Sequence, residues 1–321
     1  MILTITINPL LERRFSFKNV NFGLENRDGK EEIKVGGKGI NVSRQLNQLS
    51  TGNFAFTFYG GNNGKLLKET LTKENIKFSS VRTNEETREC AVIIDESLKK
   101  VFTFFGPNTK VNKTEAEEFK LKLEKMIENC EIVIFSGSSP CSETDSIFPY
   151  GIQLANKYDK ISVCDTYGKH LKNCLDNSPT IVHNNMNEIE KSLGVSLKGE
   201  EQKIEFLNSL YKKGIKQTYL TNGGDESYAS NFDFHFKIEN PKINTVDPTG
   251  SGDSFVAGIA YGWHNNLTFN ETITIAAKLG IINASRFDVC NVAAGELETF
   301  SQEIKISPMG KKMKTLDVTP R

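Results

Sequence analysis

Val246-Asp247-Pro248-Thr249-Gly250-Ser251-Gly252-Asp253-Ser254-Phe255-Val256-Ala257-Gly258 is the stretch from which the rest of the chain can be read. Gly250 and Gly252 permit tight backbone turns, because no Cβ stands in the way. The apolar, small-residue run SFVAGIAYGW follows at once and reads as a helix. A glycine turn feeding a helix N-terminus presents N–H groups and the positive end of the helix dipole, a setting that suits an anion. Asp253 stands at that same terminus. A bound phosphate would repel this carboxylate, and accepting the proton of an attacking hydroxyl would give it a function there. Helix capping explains the same aspartate as well on the residues alone.

Working outward, Gly36-Gly37-Lys38-Gly39-Ile40-Asn41-Val42 again joins a strand to a helix start, with a cation inside the glycine run. Backbone this open can approach a ligand, while Lys38 and Asn41 supply donors for hydroxyls or phosphate. A tight structural turn explains the run nearly as well. Other phosphate signatures are excluded. Gly60-Gly61-Asn62-Asn63-Gly64-Lys65 is followed by Leu66, and Gly23 to Lys30 by Glu31, so neither offers the hydroxyl that a Walker-type loop needs for Mg²⁺. The GxGxxG fingerprint is absent, which disfavours nicotinamide chemistry. The four histidines, at 170, 183, 235 and 264, lack the paired spacing of a zinc site.

Composition narrows the class. The 321 residues are 37% hydrophobic and 25% charged, ordinary for a globular protein able to bury one large core. Forty basic residues balance forty acidic ones, so no global field draws the protein to nucleic acid or to an anionic membrane. Six scattered cysteines with no CxxC pair suggest reduced thiols and a cytoplasmic location. The start MILTITINPLLERRF reads as a strand and a turn without a secretory leader, and no apolar run has the length of a membrane span.

Short apolar runs alternate with amphipathic stretches. Residues 2–7, 54–59, 132–135, 161–164, 180–182 and 218–220 read as buried strands, and 40–49, 65–73, 114–129, 145–156 and 200–212 as helices. That rhythm implies βαβ units and a mostly parallel sheet. Two segments, 13–35 and 86–105, carry strand patterns with no helix between neighbours, including AVIID-ESLK-KVFTF, which reads as an antiparallel hairpin. They are expected to form one small β layer over the main sheet, a lid able to exclude water. From Ser301 the chain turns polar and basic and is expected to be a loose tail over 301–321.

Together, GGKGINVSRQL and DPTGSGDSFVAGI resemble the ribokinase-type (PfkB) carbohydrate kinase family, in the family's order and separation, over roughly residues 1–295. The resemblance implies a ribokinase-like three-layer α/β sandwich with a mostly parallel central sheet and a small β lid. One kinase domain would span about 1–300. It implies an ATP-dependent kinase with Asp253 as general base and the amides of Gly250, Ser251 and Gly252 as the anion hole. Asn185-Met186-Asn187-Glu188 matches the family's Asn-x-x-Glu element, with Glu188 serving Mg²⁺ through water and Asn185 the nucleotide. The usual preceding Lys-Pro is His183-Asn184 here. Thr221 and Gly223 fall where the family contacts nucleotide, and the helix 272–286 would flank adenine with Asn283 as a wall residue. K⁺ is a further candidate cation, and a homodimer through the lid is the family tendency.

Within the family, the start TITINPLLE, the GGKGINVSRQL run and Thr87-Arg88 resemble the branch of 1-phosphofructokinases and tagatose-6-phosphate kinases. A lid arginine beside Lys38 suits a dianionic acceptor, since guanidinium binds phosphate bidentately. The acceptor set implied is Glu12, Gly37, Lys38, Gly39, Asn41, Arg88 and Asp253. Three departures bear on the acceptor. Glu12 replaces the usual aspartate, Glu89-Cys90 follows Arg88 where Ile/Val-Asn is usual, and FTFFGPN lacks the acidic residues that normally precede Gly-Pro. Glu89 is expected on the strand face opposite Arg88. Three readings stay open: a ketohexose-phosphate kinase, a kinase for an unphosphorylated sugar or nucleoside, and an inactive sugar-phosphate sensor.

Overall fold

Ile132, Val133, Ile134 and Phe135 are all fully buried, yet they belong to two different cores: Ile132 and Ile134 to one, Val133 and Phe135 to the other. Alternate side chains of a strand point to opposite faces, so this run requires a sheet covered on both sides. The computed structural model, which describes residues 1–310, has that form. Its first half contains strands β1 (Ile2–Thr6), β2 (Leu10–Phe17) and β3 (Lys30–Gly36), helix α1 (Lys38–Gln48), β4 (Asn53–Gly60), α2 (Gly61–Lys73), β5 (Phe78–Thr83), β6 (Glu89–Asp95), β7 (Lys100–Phe105), α3 (Lys113–Glu128) and β8 (Ile132–Gly137). Next come α4 (Ile147–Lys157), β9 (Ile161–Thr166), α5 (Leu171–Asp176), β10 (Ile181–Asn185), α6 (Met186–Leu193), α7 (Glu200–Lys212) and β11 (Gln217–Thr221). The chain closes with β12 (Ser227–Asn231), β13 (Phe234–Glu239), α8 (Ser251–His264), α9 (Phe269–Ala284), α10 (Ala294–Thr299) and β14 (Lys305–Met309).

The main sheet has ten strands in the order β14-β13-β12-β11-β10-β9-β8-β1-β4-β5. Pairing is parallel from β11 to β5 and antiparallel from β11 to β14. One face packs on α3, α4 and α7 through residues such as Phe119, Phe148 and Leu207, and the other on α1, α8 and α9 through Leu46, Val256 and Ile273. Helices α8 and α9 touch backbone to backbone: a Cβ on Gly258 would lie 2.5 Å from Ala276 Cα. A second sheet, β3-β2-β6-β7, forms the lid from the two segments singled out in the sequence. The β6–β7 hairpin is antiparallel as expected, but β2 runs parallel to β6, which a helix-free pattern does not reveal.

The tail is shorter than its composition suggests. Lys305–Met309 is an edge strand paired antiparallel with β13, His235 opposite Met309 and Ile238 opposite Ile306. Ile304 and Ile306 pack against the core beneath α8 and α9. Pro308 obscures this strand in the sequence, yet at a sheet edge its missing N–H costs nothing. The rest of the expected tail, 311–321 with the KKMK run, lies outside the described residues. No helix among the described residues is long and apolar enough to cross a membrane.

Candidate active site

The parallel strands end along one side of the sheet, where ligands of open α/β sheets bind. Thr6 closes β1, Ser136 and Gly137 close β8, His183 and Asn185 sit at the end of β10, and Thr221 ends β11; all line one cavity of about 840 Å³ beneath the lid. The glycine turn forms its floor. Gly250 adopts φ +78°, a left-handed conformation that a side chain would strain, and a Cβ there would also lie 2.3 Å from Val289 Cγ1. Helix α8 starts at Ser251, so its N-terminal backbone faces the cavity. The Ser251 amide donates to Pro248 O at 3.1 Å inside the turn, which makes Gly250 and Gly252 the better placed donors of the expected three.

Asp253 is 5% exposed and accepts a hydrogen bond from Asn41 Nδ2 on Oδ2 at 2.7 Å. Burial pushes its carboxyl up to about 6; Lys38 pulls it down, Asp165 raises it again, and the Asn41 hydrogen bond lowers it. Lys38 Nζ lies 3.1 Å from Glu188 Oε1 and 3.3 Å from Asp165 Oδ1. Burial alone would lower the ammonium, but the Asp165, Glu188 and Asp253 carboxylates outweigh it and hold Lys38 well above its usual value. Asp165 in turn accepts from Ser136 Oγ at 2.5 Å and sits 3.0 Å from His183 Nδ1. His183 therefore takes part in the acidic cluster from the position where Lys-Pro is usual. Against burial, Lys38 and the His183 hydrogen bond keep the Asp165 carboxyl below its ordinary range.

Of the expected nucleotide residues, Asn185, Thr221, Gly223, Gly250, Ser251 and Gly252 all line the cavity, while Asn283 does not. Asn283 is fully buried and braces the glycine turn. Its Nδ2 donates to Thr249 O at 2.8 Å and Ser251 Oγ at 3.2 Å, and its Oδ1 accepts from Cys290 N at 2.7 Å. The wall beside it is made by Ala277, Gly280, Ile281 and Ala284 of α9. Asn283→Ala is therefore expected to lose about 2–4 kcal/mol of stability in urea unfolding, because it strands a buried N–H and a buried carbonyl.

On the acceptor side Glu12, Gly37, Lys38, Asn41, Arg88 and Asp253 line the cavity, and Gly39 does not. Gly39 serves close packing: a Cβ there would lie 2.5 Å from Thr6 Oγ1 and 2.8 Å from Ile5 O. The lid turns Leu10, Cys90, Val92 and Val101 toward the cavity along with Glu12. Burial raises the Glu12 carboxyl against the pull of Arg14, Arg44 and Lys34. Glu89 points the other way, bonded to Arg13 at 3.2 Å, as strand alternation requires. Arg88 is held by the Asn8-Pro9 turn: Nη2 donates to Asn8 O at 3.1 Å, Nε to Pro9 O at 3.4 Å and Nη1 to Asn108 Oδ1 at 3.0 Å.

Sequence reasoning passed over Asp165, Ser136, Arg14 and Asp247. Arg14 and Asp247 are 4% and 3% exposed and lie 3.9 Å apart at the cavity edge. For Asp165 a signal existed, since an acidic residue at the carboxyl end of a buried parallel strand, ISVCD, is a site candidate by topology.

A buried carboxylate at a glycine-turned helix start, beside a lysine paired with two further carboxylates, is an arrangement suited to phosphoryl transfer to a hydroxyl. The family model described as pfkB family carbohydrate kinase matches residues 12–294, and the chain belongs to that family. A tagatose-6-phosphate kinase of Staphylococcus epidermidis is 26% identical over 309 residues, covering 95% of this chain and 99% of its own. Among solved structures, a Thermotoga maritima protein described as a possible 1-phosphofructokinase matches 96% of this chain and 99% of its own, with a TM-score of 0.88 at 23% identity. The tetrameric inhibited form of Escherichia coli phosphofructokinase-2 matches 93% and 97%, with a TM-score of 0.82 at 19% identity. The fold is thus the expected ribokinase-like sandwich with its lid, and the protein is a carbohydrate kinase with ATP as co-substrate.

Proposed function

We propose that this kinase phosphorylates a ketohexose phosphate, as a 1-phosphofructokinase, 6-phosphofructokinase or tagatose-6-phosphate kinase would, with Asp253 as general base. The observation that carries the reading is the position of Asp253, buried at the first turn of α8 beside Gly250 and Gly252 and in one cavity with Lys38, Asn41 and Arg88. The acceptor oxygen forms a bond to the γ-phosphorus of ATP, the bond from that phosphorus to the β–γ bridging oxygen breaks, and the hydroxyl proton passes to Asp253. ADP leaves with the electron pair of the broken bond.

Glu188 lines the cavity and offers a carboxylate that fits Mg²⁺, which binds through one or two carboxylates and completes its shell with water and phosphate. Among the described residues no group of three or more His, Cys, Asp or Glu is arranged to hold a metal ion by itself. Mg²⁺ there would neutralise charge on the nucleotide's phosphate oxygens. K⁺ remains a candidate activator, read by replacing K⁺ with Na⁺ in the assay. Six free cysteines and dependence on ATP support a cytoplasmic location.

The substrate test is ATP turnover with fructose 1-phosphate, fructose 6-phosphate, tagatose 6-phosphate, fructose, ribose and adenosine. Turnover is expected for a phosphorylated ketohexose, with Arg88→Ala raising its KM by about 10-fold or more, as loss of a charge-assisted phosphate contact would. Arg88 also favours a second reading. Its bonds to two backbone carbonyls and Asn108 engage part of the guanidinium, and the lid's cavity face is largely apolar. An unphosphorylated sugar or nucleoside acceptor fits those facts, and activity confined to fructose, ribose or adenosine would establish it.

The lid also supports a homodimer. Phe22, Leu24 and Phe104 are 65%, 75% and 62% exposed, and such apolar surface is a usual sign of an interface. Sedimentation is expected to show a dimer that Phe104→Glu weakens; a monomer at micromolar concentration would refute it.

A further inference from the structure

Asn41 is the only side chain hydrogen-bonded to Asp253 among the described contacts, and an asparagine amide presents an oxygen and an NH₂ of nearly the same shape. Which of them meets the carboxylate decides whether the contact attracts or repels. Arg44, one helical turn further along α1, settles this. Its Nη1 donates to Asn41 Oδ1 at 2.8 Å, so the NH₂ is the end that faces Asp253.

Arg44 is itself fixed from two other elements. Nη2 donates to Val35 O on β3 at 2.7 Å, and Nε donates to Glu74 Oε2 at the end of α2, at 2.8 Å. Arg44 is 9% exposed and absent from the cavity wall, so it stands behind the site and not within it. An arginine has donors only and stays charged at any working pH, which makes it an invariant reference for the amide's orientation.

We infer that Arg44 is a positioning residue for phosphoryl transfer, holding the Asn41 amide so that it donates to Asp253 Oδ2 and leaves Oδ1 for the acceptor hydroxyl. The inference rests on the reading of Asp253 as base. The other charged groups around Asp253 are Lys38 on α1, Asp165 on β9 and Glu188 on α6, with the Cys290 thiol behind it. None of them bonds the Asn41 amide. Glu74, 24% exposed in its side chain, is the outer anchor of the chain Glu74–Arg44–Asn41–Asp253.

The test is a double-mutant cycle on turnover, with ATP, Mg²⁺ and the accepted sugar. Arg44→Gln is expected to lower kcat by about 10-fold, the scale on which small misplacements act, while the KM for ATP changes by less than about twofold. In an Asn41→Ala background the same substitution is expected to cost less than about twofold, because its route to the base is already cut. Losses that multiply independently, or a kcat unchanged in Arg44→Gln, overturn the inference. Should Arg44→Gln fold poorly, Glu74→Gln loosens the outer anchor from a half-open position and is judged by the same non-additivity with Asn41→Ala. Asp253→Asn separates the two levels. If that variant keeps full turnover, the base reading fails and Arg44 falls with it. If it is inactive while the Arg44 and Asn41 losses multiply independently, only the present inference fails.

Discussion

Asp253→Asn is expected to lower kcat by about 10²- to 10⁴-fold while leaving the KM for ATP nearly unchanged. Asparagine keeps the shape, and its amide oxygen can still accept from Asn41, but it takes no proton from the acceptor. Wild-type kcat is expected to fall on acidification through about pH 6, where burial has placed this carboxyl, by tenfold per unit below that. The residual turnover of the variant should lack that limb. Stability moves the other way. The folded carboxyl titrates near 6 and the unfolded one near 3.8, so between those values the native state holds a proton that the unfolded chain has released. Wild-type stability from this group therefore declines as pH rises through the window. The asparagine variant, free of a buried charge, is expected to match or exceed the wild type at pH 7, by up to roughly 3 kcal/mol. Full turnover in the variant, or a marked loss of stability at pH 7, would contradict both halves of this expectation.

Lys38→Met should damage stability and catalysis together. Asp165 is fully buried and Asp253 nearly so, and the Lys38 ammonium is the cation that faces both of them and Glu188. Removing one partner from such a cluster leaves uncompensated buried charge, expected to cost about 3 kcal/mol at pH 8. Because the folded lysine titrates above its unfolded value, its stabilisation is complete below about pH 10.5 and is lost only as pH climbs through the folded value. The wild type thus enjoys it throughout the working range. Without it Asp253 loses a charge that pulls its carboxyl down, holds a proton more readily in the native state, and lets the variant recover stability as pH falls. Urea midpoints at pH 8 and pH 5.5 measure this directly, and added Mg²⁺ is expected to stabilise the variant more than the wild type. Turnover should drop by about 10²-fold or more if, as proposed, Lys38 is a fixed charge beside the transferring phosphoryl group. A variant as stable as the wild type at pH 8 would show that Lys38 is not the counter-charge of this cluster.

These expectations draw unequally on sequence and structure. Asp253, Gly250 and Gly252 sit within a few residues of one another, so local backbone chemistry alone places a carboxylate at a glycine-turned helix start. The apolar run of β8, the alternation in AVIID and the helix-free lid segments were legible for the same reason, because period and turn residues are short-range properties. The terminal strand β14 was not, since Pro308 and flanking charge conceal an edge position that only its neighbour β13 defines.

What the sequence by itself determined is the layered α/β architecture, the two glycine-rich turns and the carboxylate at the helix start after one of them. Tertiary structure alone decided the roles of residues whose partners lie far along the chain. It drew Asp165 to Lys38 across 127 positions, set Arg14 of the lid beside Asp247, and committed Asn283 to bracing the turn instead of facing the nucleotide. It also gave Gly39 a packing role in place of a contact with substrate. The physical reason is common to all four. A side chain's hydrogen-bond capacity is fixed by its type, but whether a ligand or the protein uses that capacity depends on which strand ends and helix termini the fold brings within about 3 Å of it.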